Sequence, residues 1–303
     1  MKITLIAPKS INRNPNFRFD YGYWNFYLPL VSLGHTVHFF DTSKLGNKEL
    51  KEHIKEFQPE LLFCIMTGSS HTCPDEPWET IKSETIKGNI KTFNWFCDDS
   101  WRFNDFSSKV CQVFNYCSTP EERFVNEYKK IGYNNIQYAT WHANSDLYSS
   151  LPDEPSVNNL SFVGALRGDR LRAIQTLIHK GYNISIPTDT SLEGMIYSYS
   201  SSRASLNFSK NSVNTNTQMK ARMFEIPATG SLLITEYTKD LENCYDIGKD
   251  IIAFGTEDQL LDIVGDMKYN PEKYEQVAEN GKARFLKDHD SKIRLAQVLE
   301  NIK

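Results

Sequence analysis

The sequence predicts an α/β protein made of two units of one kind, each a parallel sheet covered on both faces. Three observations predict it. Short apolar runs alternate with helical stretches through the first half of the chain, the pattern of parallel strands joined by helical crossovers. A polar segment with two prolines, 151–159, has no apolar period and reads as a linker. The alternation then restarts. A length of 303 residues suits two domains of ordinary size, and 40% hydrophobic with 13% aromatic residues suffices for two packed cores.

In the first unit, residues 3–7 read as a buried strand, followed by a long polar and aromatic loop from 9 to about 23. Residues 25–33 fit a helix closed by Gly34, and 36–40 a strand ending at Asp41. An amphipathic helix at 48–57 precedes a third strand, 60–66, which runs into Thr67, Gly68, Ser69 and Ser70. Residues 77–87 and 120–131 read as helices; 91–96, 110–117 and 136–139 read as strands, with Cys97, Asp98 and Asp99 after the first of these.

In the second unit, a strand at 160–163 leads to Gly164, Arg167 and Arg170, and a helix at 171–180 is capped by Gly181. Residues 183–186 form a strand, 191–199 a helix or loop, and 204–208 a strand. Residues 222–236 predict a short helix with Glu225 on its first turn, a turn at Gly230, and an apolar strand ending in Thr235 and Glu236. A short helix at 239–245, a strand at 251–254, and helices at 257–269 and 271–289 follow. The tail carries Ile293, Leu295, Val298 and Ile302 at helical spacing. The expected domains are 1–153 and 154–290, with a final helix at 291–303.

Composition narrows the function. A net charge of −4 provides no general attraction to nucleic acid or to an anionic membrane, so nucleic acid is not an expected partner. No window approaches the ~18 apolar residues of a membrane span, and residues 1–8 are too short for a signal-peptide apolar region. Six widely spaced cysteines without a CxxC pair supply neither a disulfide framework nor zinc-ligand spacing, which points to a reducing cytoplasm. The first strand lacks a following GxGxxG, which argues against a nicotinamide dehydrogenase. The strongest local signal is the 222–236 run. It sets an arginine suited to phosphate and a carboxylate suited to a ribose diol beside a strand end, where open α/β sheets bind ligands.

Taken in order, Ser161-Phe-Val-Gly164 with Arg167 and Arg170, Ser205 to Ser209, Arg222 to Gly230, Leu232 to Glu236, Tyr245 to Phe254 and Glu257 to Leu261 resemble the C-terminal domain of CgeB-like glycosyltransferases, a group of the GT-B superfamily. The resemblance covers roughly residues 158–290 and is looser in the first half, at 95–99 and 138–146. It implies two Rossmann-like domains facing across a cleft, an acceptor domain first and a nucleotide-sugar domain second. It also implies a terminal helix crossing back to the first domain, and hexosyltransferase-like transfer from a nucleotide-diphosphate donor without a DxD-bound metal or other cofactor. A UDP-sugar is favoured over a GDP-sugar as donor, and the acceptor is a glycan, protein or small molecule. In the wider superfamily the ribose acid closes a pair of glutamates eight residues apart; here Thr217 holds the earlier position, so the pair is incomplete.

The expected donor-site residues are Gly164, Arg167, Arg170, Ser209, Lys210, Arg222, Glu225, Gly230, Thr235 and His142. Each has a plainer reading. Glu225 can simply complement a helix dipole, Arg170 can be a solvated helix-start residue, and Gly164 a turn. Ser209 and Lys210 can belong to a solvated loop, and a lone histidine such as His142 is usually structural. The candidate bases are Asp20, in an aromatic loop whose Gly22 permits a tight turn, and Asp99 or Asp98 at a strand end; an acid pair there can equally cap a turn. The alternatives are a nucleotide-sugar epimerase of the same fold and a non-catalytic sugar-nucleotide-binding module.

Overall fold

A computed structural model describes residues 1–14, 16, 18–66, 68, 76–149, 158–187, 191–211 and 216–302. The expected linker lies almost wholly outside the described residues, as do Thr67, Ser69 and Ser70. Contacts divide the chain into one unit of Met1–Thr140 with Ser291–Lys303 and a second of Trp141–Asp290.

The first unit begins with β1 (Lys2–Ala7), α1 (Leu28–Ser32), β2 (Thr36–Asp41), α2 (Asn47–Phe57), β3 (Leu61–Cys64) and α3 (Trp78–Lys87). It continues with β4 (Lys91–Trp95), the short α4 (Asp99–Arg102) and α5 (Ser108–Val110), β5 (Tyr116–Thr119), α6 (Glu122–Lys130) and β6 (Ile136–Tyr138). The strands form one all-parallel sheet in the order β2-β1-β3-β4-β5-β6. Both faces are buried, which is why the strands read as apolar runs. Leu62 and Cys64 face one core with Leu50, Ile81 and Tyr128. The alternating Leu61 and Phe63 face the other with Phe26, Leu30, Leu295 and Val298.

Two local expectations change. The run at 110–117 is not one strand: Val110 ends α5, Cys111–Val113 is a 3-10 turn, and the strand starts only at Tyr116. Thr85 Oγ1 holds the Val113 carbonyl at 2.7 Å, while Cys111 and Phe114 drop into the core. Gly22 makes no tight turn; its φ and ψ of −59° and −35° are helical, and it leads into a π-helical turn at Tyr23–Tyr27.

The second unit runs α7 (Ser145–Tyr148), β7 (Asn158–Ser161), α8 (Gly168–His179), β8 (Ile184–Ser185), α9 (Leu192–Ser200), β9 (Ser202–Asn207) and α10 (Arg222–Thr229). β10 (Leu232–Glu236), β11 (Ile252–Phe254), α11 (Glu257–Tyr269) and α12 (Pro271–Asp288) complete it. Its parallel sheet has the order β11-β10-β9-β7-β8. A buried hydroxyl chain from Ser161 through Ser205 to Ser231, at 2.7 and 2.9 Å, crosses this sheet. The last helix, α13 (Ser291–Glu300), belongs to the first unit, where Leu295, Val298 and Leu299 are buried beside Ile3 and Phe93.

Candidate functional site

In the second sheet β8 lies on one side of β7 and β9 on the other, so the strand order reverses between β7 and β9. Doubly wound sheets bind ligands outside the carboxyl ends of their strands at such a reversal. Gly164 follows β7 here, Ser209 and Lys210 follow β9, and Glu236 ends β10. α10 starts at this edge with Arg222 and runs back along the sheet.

Gly164 lies beside Arg222. A Cβ placed on Gly164 would sit 3.5 Å from Arg222 Nη2 and 3.3 Å from the Phe162 ring, with φ at +156°. That φ favours glycine, and a Cβ would press on the Phe162 ring while meeting the guanidinium at ordinary contact distance. The Arg222 Nε is buried and has no hydrogen-bond partner among the described residues, and an unmatched buried donor of that kind is costly unless something accepts from it.

Arg170 joins the cluster. Its Nη2 donates to the Lys210 carbonyl at 2.9 Å, an oxygen that Lys220 Nζ also reaches at 2.7 Å. Burial holds the Arg170 guanidinium below its ordinary pKa, Arg222 adds to the effect, Glu236 opposes it, and Arg167 again lowers it. Arg170, near the start of α8, thus feels the charge of both Arg167 beside it and Arg222 at the start of α10. Lys210 Nζ is paired with Asp169, and the Glu236 carboxylate is occupied by the Ser209 and Lys210 backbone N–H groups at 2.8 and 3.2 Å. The edge keeps an excess of positive charge, at helix N-termini that already favour anions.

Glu225 lies one turn along from Arg222 and is buried. Tyr148 Oη donates to its Oε1 at 3.0 Å. Sequence reading missed Tyr148, because nothing near it marks a partner so distant along the chain.

Other expected residues fall elsewhere. Gly230 closes α10 at its far end, with φ +88° and its N–H on the Pro227 carbonyl, about 12 Å along the helix from Arg222. Thr235 is fully buried and accepts from Asn207 Nδ2 at 2.9 Å, so its hydroxyl holds the sheet together and does not face solvent. Ser209 is likewise buried, its hydroxyl on the Glu236 carbonyl. His142 is fully buried in the second unit.

In the first unit the order reverses between β1 and β3. The loop after β1 folds on itself through the Ser10–Phe19 bridge and delivers Asp20, half-buried, with the Gly22 N–H 3.4 Å from its Oδ1. Burial raises the Asp20 carboxyl above its usual value, against the backbone N–H groups of Gly22 and Tyr21 and the charge of Arg18. Asp98 is half-buried at the start of α4. The Cys97 thiol, pushed well up by burial, is raised further by Asp98 and by Asp20, which puts both acids at one edge of this sheet. Asp99 turns inward instead. It is buried, takes the Tyr128 hydroxyl at 3.1 and 3.3 Å, and has Ser107 and Thr119 as further partners. Among the described residues, no three His, Cys, Asp or Glu side chains converge as a metal site, and no helix is long and apolar enough to cross a membrane.

Comparison with known proteins supports the fold. Residues 166–300 match the family described as glycosyl transferase-like. No curated protein matches the chain by sequence. Among solved structures, Anabaena HepE in complex with UDP-glucose is 10% identical, with a TM-score of 0.66 over 99% of this chain and 98% of that one. The catalytic domain of Arabidopsis thaliana starch synthase IV, bound to ADP and acarbose, is 10% identical with a TM-score of 0.67, covering 100% and 98%. Sucrose-phosphate synthase from Thermosynechococcus elongatus is 10% identical with a TM-score of 0.64, covering 99% and 98%. The chain has the fold of the GT-B glycosyltransferases, two parallel-sheet α/β units, with a glycosyl transferase-like segment that takes in most of the second unit.

Proposed function

We propose that this protein is a glycosyltransferase that moves a hexosyl group from a nucleotide-diphosphate donor to an acceptor hydroxyl, in the cytoplasm. The second unit is the donor domain and the first the acceptor domain. The observation that carries the reading is the convergence of Arg222, Arg170 and Arg167 at the strand reversal, with Gly164 against Arg222 and a buried Nε awaiting an acceptor.

Arg222 and Arg170 bind the diphosphate. As the sugar departs, charge builds on the leaving nucleoside diphosphate, and fixed guanidinium groups stabilise it without a DxD-bound metal. Glu225, held by Tyr148, accepts from the ribose hydroxyls. Asp20 is the base that takes the acceptor proton; Asp99 is too deeply buried for that role. UDP-glucose in the HepE structure and ADP in the starch synthase structure support a nucleotide-diphosphate donor, and a UDP-sugar is favoured. By residue pattern the second unit resembles the CgeB-like group.

Titration calorimetry with UDP tests this. Arg222→Ala should weaken binding about 10- to 100-fold, the loss of charge-assisted hydrogen bonds to phosphate. Unchanged affinity would remove Arg222 from the site.

A further inference from the structure

At the opposite end of the second sheet from the arginine cluster lies a cavity of about 260 Å³. It opens where β7 and β9 begin, between the end of α8 and the last turns of α11. Strands of four to six residues separate the two ends, roughly 13–20 Å, so this is a second place.

Its walls carry three cations, Lys180, Arg203 and Lys268, and no carboxylate. None of the three has an ion-pair partner among the described residues. Arg203 and Asn159 stand side by side, because the register pairs Asn158 with Ser202 and Leu160 with Ala204. The floor is apolar: the half-buried Met267 and Tyr182 pack against the core that holds Leu160 and Val264. Three like charges gathered without a counterion repel one another, and an anion relieves that repulsion. A bare inorganic ion leaves the apolar floor uncovered. The cavity is at the small end of ligand sites, which run to about 300–1,000 Å³, and so suits a compact ligand.

We infer that this cavity binds a small phosphomonoester with a compact organic part, such as a sugar phosphate. The phosphate meets Lys180, Arg203 and Lys268, while the organic part lies over Met267 and Tyr182 with the Asn159 amide in reach. The site is separate from the donor site, so the ligand acts there as an effector or a second substrate, and the inference stands whether or not the donor reading holds.

Calorimetry on the full chain tests it, with glucose 6-phosphate, inorganic phosphate and glucose as probes. Glucose 6-phosphate should bind, at least about tenfold tighter than inorganic phosphate, and glucose should not. The charge reversal Arg203→Glu should weaken glucose 6-phosphate at least about tenfold. Lys268→Glu should do the same, and both are surface residues whose replacement spares the core. Arg222→Ala should leave that affinity within about twofold, which separates this cavity from the donor edge. Equal affinity for the two phosphates, no binding at about 10 mM, or full affinity in both charge-reversal variants would overturn the inference.

Discussion

At the strand reversal of the first sheet stands a carboxylate among aromatic rings; at that of the second stand guanidinium groups beside a glycine. The two sheets otherwise share one strand order, since β2-β1-β3-β4-β5 and β8-β7-β9-β10-β11 run alike. The first loop after β1 is long and closed on itself, with Lys9 Nζ over the Phe19 and Tyr23 rings at 4.9 and 5.3 Å. The corresponding segment after β7 is short and open, so backbone and Arg222 come together. One architecture thus offers two chemistries, set by loop length and by what the next helix carries at its start. In the proposed function the first unit supplies the proton acceptor and the second the anion site.

Perturbing each unit in turn sharpens this contrast. The largest effect expected is on turnover. Asp20→Asn should lower kcat about 100- to 10,000-fold, the range for losing a general base, and leave UDP affinity within about twofold. A variant that lost UDP binding instead would erase the division of labour.

Next comes Asp99, the buried acid that the proposed mechanism does not use. Burial pushes the Asp99 carboxyl from 3.8 to about 6, against hydrogen bonds from Ser107, Thr119 and Tyr128. The folded state holds a proton that the unfolded chain releases. The stability this confers is full below pH 4 and lost as pH rises through 6, of order 2–3 kcal/mol. Asp99→Asn should flatten the pH dependence of thermal unfolding between pH 4 and 6; an unchanged slope would mean that another group titrates.

The smallest effect expected is at Tyr148. Tyr148→Phe removes one hydrogen bond to Glu225 and should weaken UDP about three- to tenfold. Affinity for 2′-deoxy-UDP should change less, because in the proposed site the carboxylate that Tyr148 holds accepts from the ribose hydroxyls. Equal losses for both ligands would make Tyr148 a packing residue only.

Much of the fold was legible because buried parallel strands read as apolar runs and helices close on glycines such as Gly34 and Gly230. The 110–117 run misled because its apolar residues enter the core from turns as readily as from a strand. At the site, Arg222 and Glu225 were legible from their spacing on one short helix. Their surroundings were not: the tyrosine on Glu225 lies 77 residues earlier, and the one that draws Asp99 inward lies 29 residues later. Chain distance of that kind leaves no periodic trace, and Thr235 and Ser209 look exposed at strand ends until their hydroxyls are followed inward.

The most direct measurement is a crystal structure of the protein soaked with a UDP-sugar. The diphosphate should lie between Gly164 and Arg170 with an oxygen on Arg222, and the ribose diol on Glu225. Nucleotide bound at the Asp20 edge, or Glu225 without a ribose contact, would contradict the account.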